Sequence, residues 1–300
     1  MNKRMSKRQS RLVWLKEIKD IVRGAAGGFL FGIPLLYTFE VWQAGSYLQP
    51  PLMLAILVVT YLVLFFFNRV EGFRRRKRAN LSDVILESIE ALAIAIVCAT
   101  FILVLLQRIT LKTSLEEALG KIIFESVPFA LGVALSRLIL SEDDSNESSD
   151  NSRNYDNFMF KKLQKVEGAN ETLSDLGGTL TGAIIIAFSI APTDEVTELG
   201  VASSPPWLIA IILASLFISY LIVFAAGFAN QKKRKQQQGL FQTPESETVL
   251  SYLISLMASL LMLLFFQKLS FADPWFLWMR YTILLGLPAS IGGAAGRLAV

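Results

Sequence analysis

The chain has 300 residues, 53% of them apolar, and 29 Lys and Arg against 25 Asp and Glu give a formal net charge of +4. A mean hydropathy of +0.49 excludes an ordinary soluble domain of this length. There is no histidine, which removes the commonest metal ligand and the usual base at neutral pH, and the single cysteine, Cys98, excludes an internal disulfide.

The basic start (Lys3, Arg4, Lys7, Arg8, Arg11) runs into an apolar stretch too long for a cleaved leader. Residues 1–20 are therefore expected to be a cytoplasmic N-terminus ahead of an uncleaved anchor. An apolar run of about 20 residues crosses a bilayer as a helix. Eight such runs follow, at 21–42, 50–68, 85–107, 115–140, 172–191, 206–229, 247–267 and 275–298. Basic clusters precede the first run and lie at Arg74 to Arg78 and at Lys232 to Lys235. Eight spans starting inside put all three clusters, and both termini, in the cytoplasm. The clusters are read as topology signals, not as a nucleic-acid surface. Residues 141–170 open on Ser141-Glu142-Asp143-Asp144 and are nearly without apolar side chains at first, which predicts a flexible acidic cytoplasmic linker. Its tail, Phe158 to Val166, mixes aromatics with Lys161, Lys162 and Lys165 as a lipid-resting segment would.

The order of Gly, Pro and charge is written twice. Gly27-Gly28-xxx-Gly32 recurs 150 positions on as Gly177-Gly178-xxx-Gly182, and Pro50-Pro51 recurs as Pro205-Pro206. Gln107-Arg108-Ile109 recurs as Gln267-Lys268-Leu269, and Pro128-xxx-Gly132 as Pro288-xxx-Gly292. Ser114-x-x-Glu117 has the form of a capping box before the fourth span. Asp273-Pro274 offers a cap and a first-turn proline before the eighth. The expected fold is all-α: a polytopic transmembrane bundle of about eight spans. It is expected as two parallel four-helix repeats, 21–140 and 171–300, related by an axis along the membrane normal.

Glu125 is the foremost candidate for chemistry. It falls about 15 Å along the fourth span, near mid-membrane. A charge there costs about 3 kcal/mol or more unless it is paired, hydrated or protonated. Pro128 has no N–H to give the carbonyl of Phe124, so that oxygen is released beside the carboxyl. Such a pair suits a cation or a proton; the plainer reading is a protonated carboxyl bonded to a neighbouring helix. The matching position in the second half is Leu285.

Glu87 and Glu90 share a face at the inner end of the third span, where they suit a cation-attracting pore mouth or simply the helix dipole. Asp175, in the first turn of the fifth span, has the same two readings. Glu40, Asp194 and Glu195 are candidates for an acidic outer vestibule or for solvated loop charges. Arg280 is a partner for Glu40, Glu117 or Glu125, or a side chain that snorkels to the headgroups. Trp275, Phe276, Trp278 and Tyr281 read as an interfacial aromatic belt. Gly24, Gly28 and Gly32, then Gly178 and Gly182, then Gly292 and Gly296, are read as small-residue faces for helix packing.

Enzyme motifs are missing: there is no Gly-x-Ser-x-Gly elbow and no phosphate loop, so no enzyme activity and no cofactor are expected. In Arg23-Gly24-Ala25-Ala26-Gly27-Gly28, Tyr37-Thr38-Phe39-Glu40, Glu87-Ser88 and Pro128-xxx-Gly132, the chain resembles a family of bacterial multi-pass inner-membrane proteins with no assigned function. The resemblance covers nearly the full length apart from the linker and implies a bacterial inner-membrane location. It supplies no substrate and no site residue. The function expected from the residues is a transporter or channel for a cation or small solute. The alternative is a non-transporting scaffold, assembly factor or regulator whose linker and basic loops bind a partner. Lipid surrounds either version, a homo-oligomer is compatible with both, and no metal is assigned.

Overall fold

The computed structural model describes residues 2–75, 81–139, 157–225 and 244–299, and every regular element among them is helical. Two compact units divide the chain. The first holds α1 (Asn2–Leu36), α2 (Phe39–Ser46), α3 (Pro50–Arg75), α4 (Leu81–Leu105) and α5 (Leu115–Ile139). The second holds α6 (Asn157–Ile190), α7 (Glu195–Ala202), α8 (Pro205–Tyr220), α9 (Pro244–Phe265) and α10 (Trp275–Ala299). One π turn, Leu221–Ala225, follows α8. Among the described residues, six helices are long and apolar enough to cross a membrane, or eight spans form if each of two bent pairs counts as one.

The first bent pair corrects the expected run 21–42. Its apolar residues do not make one straight helix: α1 ends at Leu36, and α2 leaves at 94°. The reason is local. Pro34 withholds an N–H in the last turn of α1. Thr38 then uses up the terminal carbonyls, with Oγ1 donating to Leu35 O at 3.0 Å and N to Leu36 O at 2.8 Å. The second pair breaks the same way. Thr193 donates from Oγ1 and N to Ile190 O, at 2.6 and 3.1 Å, and α7 leaves at 87°.

Residues 157–170, expected within the linker, form the first part of α6. Lys, Leu, Gln, Glu and Ala there are strong helix formers, and a helix already nucleated in apolar sequence extends through them cheaply. Residues 140–156, Arg76 to Arg78 and Lys232 to Lys235 lie outside the described residues.

In unit 2, α10 packs against α6, α7, α8 and α9 and is buried without interruption from Ile283 to Ala294. Small residues let α6 and α10 meet backbone to backbone: a Cβ on Gly182 would land on the Gly292 carbonyl, and one on Gly292 on the Gly182 carbonyl. Gly296 meets Gly178 in the same way. In unit 1, Gly27 and Gly132 make the matching contact between α1 and α5, with Gly24 and Gly28 against Val133 and Gly32 against Phe129.

Gly182 lies 155 positions after Gly27, and Gly292 lies 160 after Gly132.

Two loops also agree. Gln107 and Gln267 hold φ of 56° and 57°. Such a φ costs a non-glycine residue about 1 kcal/mol, which the closing bonds offset. Arg108 N and Ile109 N donate to Leu103 O at 2.8 and 3.3 Å, and Lys268 N and Leu269 N to Leu263 O at 2.9 and 3.2 Å.

Candidate functional site

The site is built on one face of α5. Residues 117, 121, 125, 129, 132 and 136 fall on that face at helical spacing. Its deep end is fixed by Gly132 on Gly27 and by Phe129 in the groove left by Gly32. Its outer end is fixed on α2, where a Cβ added to Gly45 would sit 2.9 Å from Lys121 Cα. Glu125 lies one turn from each anchor. Its register therefore falls where the chain breaks between α1 and α2.

Glu125 is 0% exposed, and neither carboxyl oxygen has a hydrogen-bond partner among the described residues. An unsatisfied buried polar group costs about 1–3 kcal/mol, and a bare buried charge far more. Pro128 sits in the next turn inside the same helix.

One turn outward, Lys121 is buried and donates from Nζ to Glu117 Oε1 at 2.5 Å and to Arg108 O at 3.1 Å. The Arg108 guanidinium lies 3.9 Å over the ring of buried Trp42 in α2, a cation–π contact. Ser114 Oγ accepts Glu117 N at 3.3 Å, so only half of the expected capping box forms; the Glu117 carboxylate is turned to Lys121.

Residues 20–300 match a family described as "Putative integral membrane protein (DUF2391)". The chain belongs to this family. It is accordingly an integral, multi-pass membrane protein in contact with lipid. No curated protein and no solved structure matches it.

The other candidate residues of this DUF2391 chain are described within their own units. Arg280 binds within unit 2: Nη1 donates to Gly200 O at 3.2 Å, and the guanidinium lies 5.8 Å from the Phe276 ring. Tyr281 is no part of a belt; it is buried on Gly200, whereas Trp275 and Phe276 are exposed. Asp273 bonds Ser270 N at 2.7 Å inside the loop, and α10 begins at Trp275, so Pro274 is the residue before the helix and not its first. Glu40 is exposed in the first turn of α2, and Glu195 is buried. Asp194 is exposed and takes Lys268 Nζ at 2.7 Å; this bond and the ammonium's charge hold its carboxyl below the ordinary 3.8. Glu87 is exposed and Glu90 half-buried near the start of α4.

Asp175 has a role the sequence reading lacked. Buried Arg297 on α10 reaches it at 3.9 Å, Glu247 on α9 at 2.9 Å and Ser251 Oγ at 3.0 Å, and lies 5.5 Å from the Phe224 ring. This cluster ties α6, α9 and α10 together. Two signals for it were present: Arg297 repeats Arg137 and Glu247 repeats Glu87. Lys121 was also legible, as a charge four residues from both Glu117 and Glu125 on an apolar helix.

Proposed function

We propose that this protein is a transporter or channel for a cation or small solute in the bacterial inner membrane, with Glu125 as the carboxylate on its path. The observation that carries the reading is Glu125 itself: mid-span, wholly buried, and with both oxygens unbonded. A purely structural carboxyl would be expected to reach a donor, because leaving one unsatisfied in a span is costly.

The two units are read as copies of one ancestor. Their support is the shared element order, the paired bends, the matched Gln turns and the two constant spacings. Each bent pair is read as one crossing followed by a short surface helix. With six crossings only, Arg74 to Arg78 would face the side opposite the N-terminus, against the charge rule. Eight crossings keep both termini in the cytoplasm.

The test is flux. Full-length protein goes into liposomes carrying dyes for H⁺, Na⁺ and K⁺, each driven by its own gradient. Wild type is expected to carry at least one of these ions, and Glu125→Gln to fall to the protein-free rate. Equal flux in the two proteins removes Glu125 from the path. Wild-type flux at the protein-free rate for all three removes cation transport and returns the scaffold reading.

A further inference from the structure

Lys121 stands four residues from Glu117 on one side and four from Glu125 on the other. Side chains four apart on a helix are neighbours, about 6 Å along the axis, and the flexible lysine stem reaches either way. In this structure the ammonium is on Glu117 and the Arg108 carbonyl, while Glu125 has no partner. We infer that Lys121 is a tethered cation with two stations, Glu117 and Glu125, and that the ion which replaces it at Glu125 is a proton. This rests on Glu125 being the transport carboxylate and narrows its cargo.

The charges balance in both states. With a proton on Glu125 the carboxyl is neutral, and Lys121 pairs with Glu117, the pairing that the structure holds. When the proton leaves to water, Glu125 becomes an anion in an apolar site. Lys121 then moves to it, and Glu117, which is partly exposed, is left to solvent. No bare charge stays buried in either state, so the proton can leave without the cost that an unpaired carboxylate would carry.

The surroundings leave few other candidates. No charged side chain occurs from Gly24 to Phe39, from Pro50 to Asn68, or from Ala91 to Gln107, the apolar parts of α1, α3 and α4. Only Tyr37, Tyr61 and Cys98 titrate there; Glu40, Tyr47, Arg108, Glu116 and Glu117 flank the outer end. Among the described residues no three carboxylate or cysteine side chains converge. A dehydrated metal cation needs several oxygen ligands, whereas a proton needs one carboxylate.

The experiment compares pH profiles of dye-reported H⁺ entry, with Na⁺ and K⁺ entry measured alongside. Wild type is expected to carry H⁺ and neither metal ion. Lys121→Gln is expected to move the midpoint to higher pH by about 1–3 units, and Lys121→Arg to restore it. Glu117→Gln, which removes the competing station, is expected to move it to lower pH. Shifts of opposite sign from neighbouring residues are not what a folding defect produces. Infrared difference spectra of the detergent-purified protein supply a second readout: a carboxylic-acid C=O band absent in Glu125→Gln, with a midpoint that follows the same shifts. Glu125-dependent Na⁺ or K⁺ entry without H⁺ overturns the inference and leaves the transport reading standing. An infrared band that does not titrate, or equal profiles in all variants, overturns it outright. Loss of all flux with a titrating, Lys121-dependent band overturns transport and leaves the two-station lysine.

Discussion

At matching register, unit 1 carries Gly120, Lys121 and Glu125 on α5 where unit 2 carries Arg280, Tyr281 and Leu285 on α10. The backbone setting is shared. Lys121 packs on Gly45 of α2, and Tyr281 packs on Gly200 of α7. In unit 2 the room is filled: Leu285 is buried among apolar neighbours, and Arg280 ties the α7 backbone. In unit 1 the same room holds a carboxyl with nothing bonded to it. Polar energy in unit 2 is spent instead at the far end, in the Arg297 cluster. Unit 2 thus buries an apolar face of α10, whereas unit 1 holds a charged, incompletely satisfied face on α5. An unsatisfied group is tolerated where the rest of the scaffold is tight.

Exchanging residues between the units tests this contrast. Leu285→Glu puts a carboxyl into the sealed side and should cost at least about 3 kcal/mol, read as loss of a monodisperse, cooperatively melting protein in detergent. Gly292→Leu should cost about as much, because the new side chain meets the α6 backbone. Arg297→Met removes the buried guanidinium that Glu247 and Asp175 share; those acids are 30% and 25% exposed, so the loss should be smaller, about 2–3 kcal/mol in a denaturant titration. Glu125→Leu makes unit 1 resemble unit 2 and should raise stability by about 1–3 kcal/mol while ending flux; a melting temperature that drops would mean that the carboxyl has a structural partner. Gly177→Ala, at a helical position with no atom within 4 Å of the added carbon, should stabilise by about 0.5–1 kcal/mol. The smallest effect belongs to Lys268→Gln. Its lowering of the Asp194 carboxyl below 3.8 adds stability above that pH, and this is lost as pH falls through the lowered value. At neutral pH the melting temperature should not change measurably, and only the acid side of the stability curve should flatten.

Much of the fold was legible in the residues. Apolar runs marked the helices, prolines at 50 and 205 marked helix starts, and glycines marked the crossings, because each of these is a local consequence of backbone chemistry or of lipid. The bend at Tyr37–Thr38 was missed, since apolar residues continue through it and a hydropathy window does not register a change of direction; the fifth run, ended at Ala191, stopped at the second bend, where Pro192, Thr193 and Asp194 interrupt it. Glu125 stood out as a lone mid-span charge. Lys121 was legible as a neighbour of two acids four residues away, and Arg297 as a repeat of Arg137, but the contacts of Arg108 and Arg297 depend on what lies opposite them.

The amino-acid order by itself determined that this is a many-helix membrane protein with a carboxylate in one span, since hydrophobicity and helix length are fixed along the chain. Only the tertiary structure decided which glycines face each other, that Arg297 of α10 binds Glu247 of α9, and that Glu125 is closed off from water without a bond. Those facts depend on distances between segments far apart in the chain, which residue spacing along one helix does not encode.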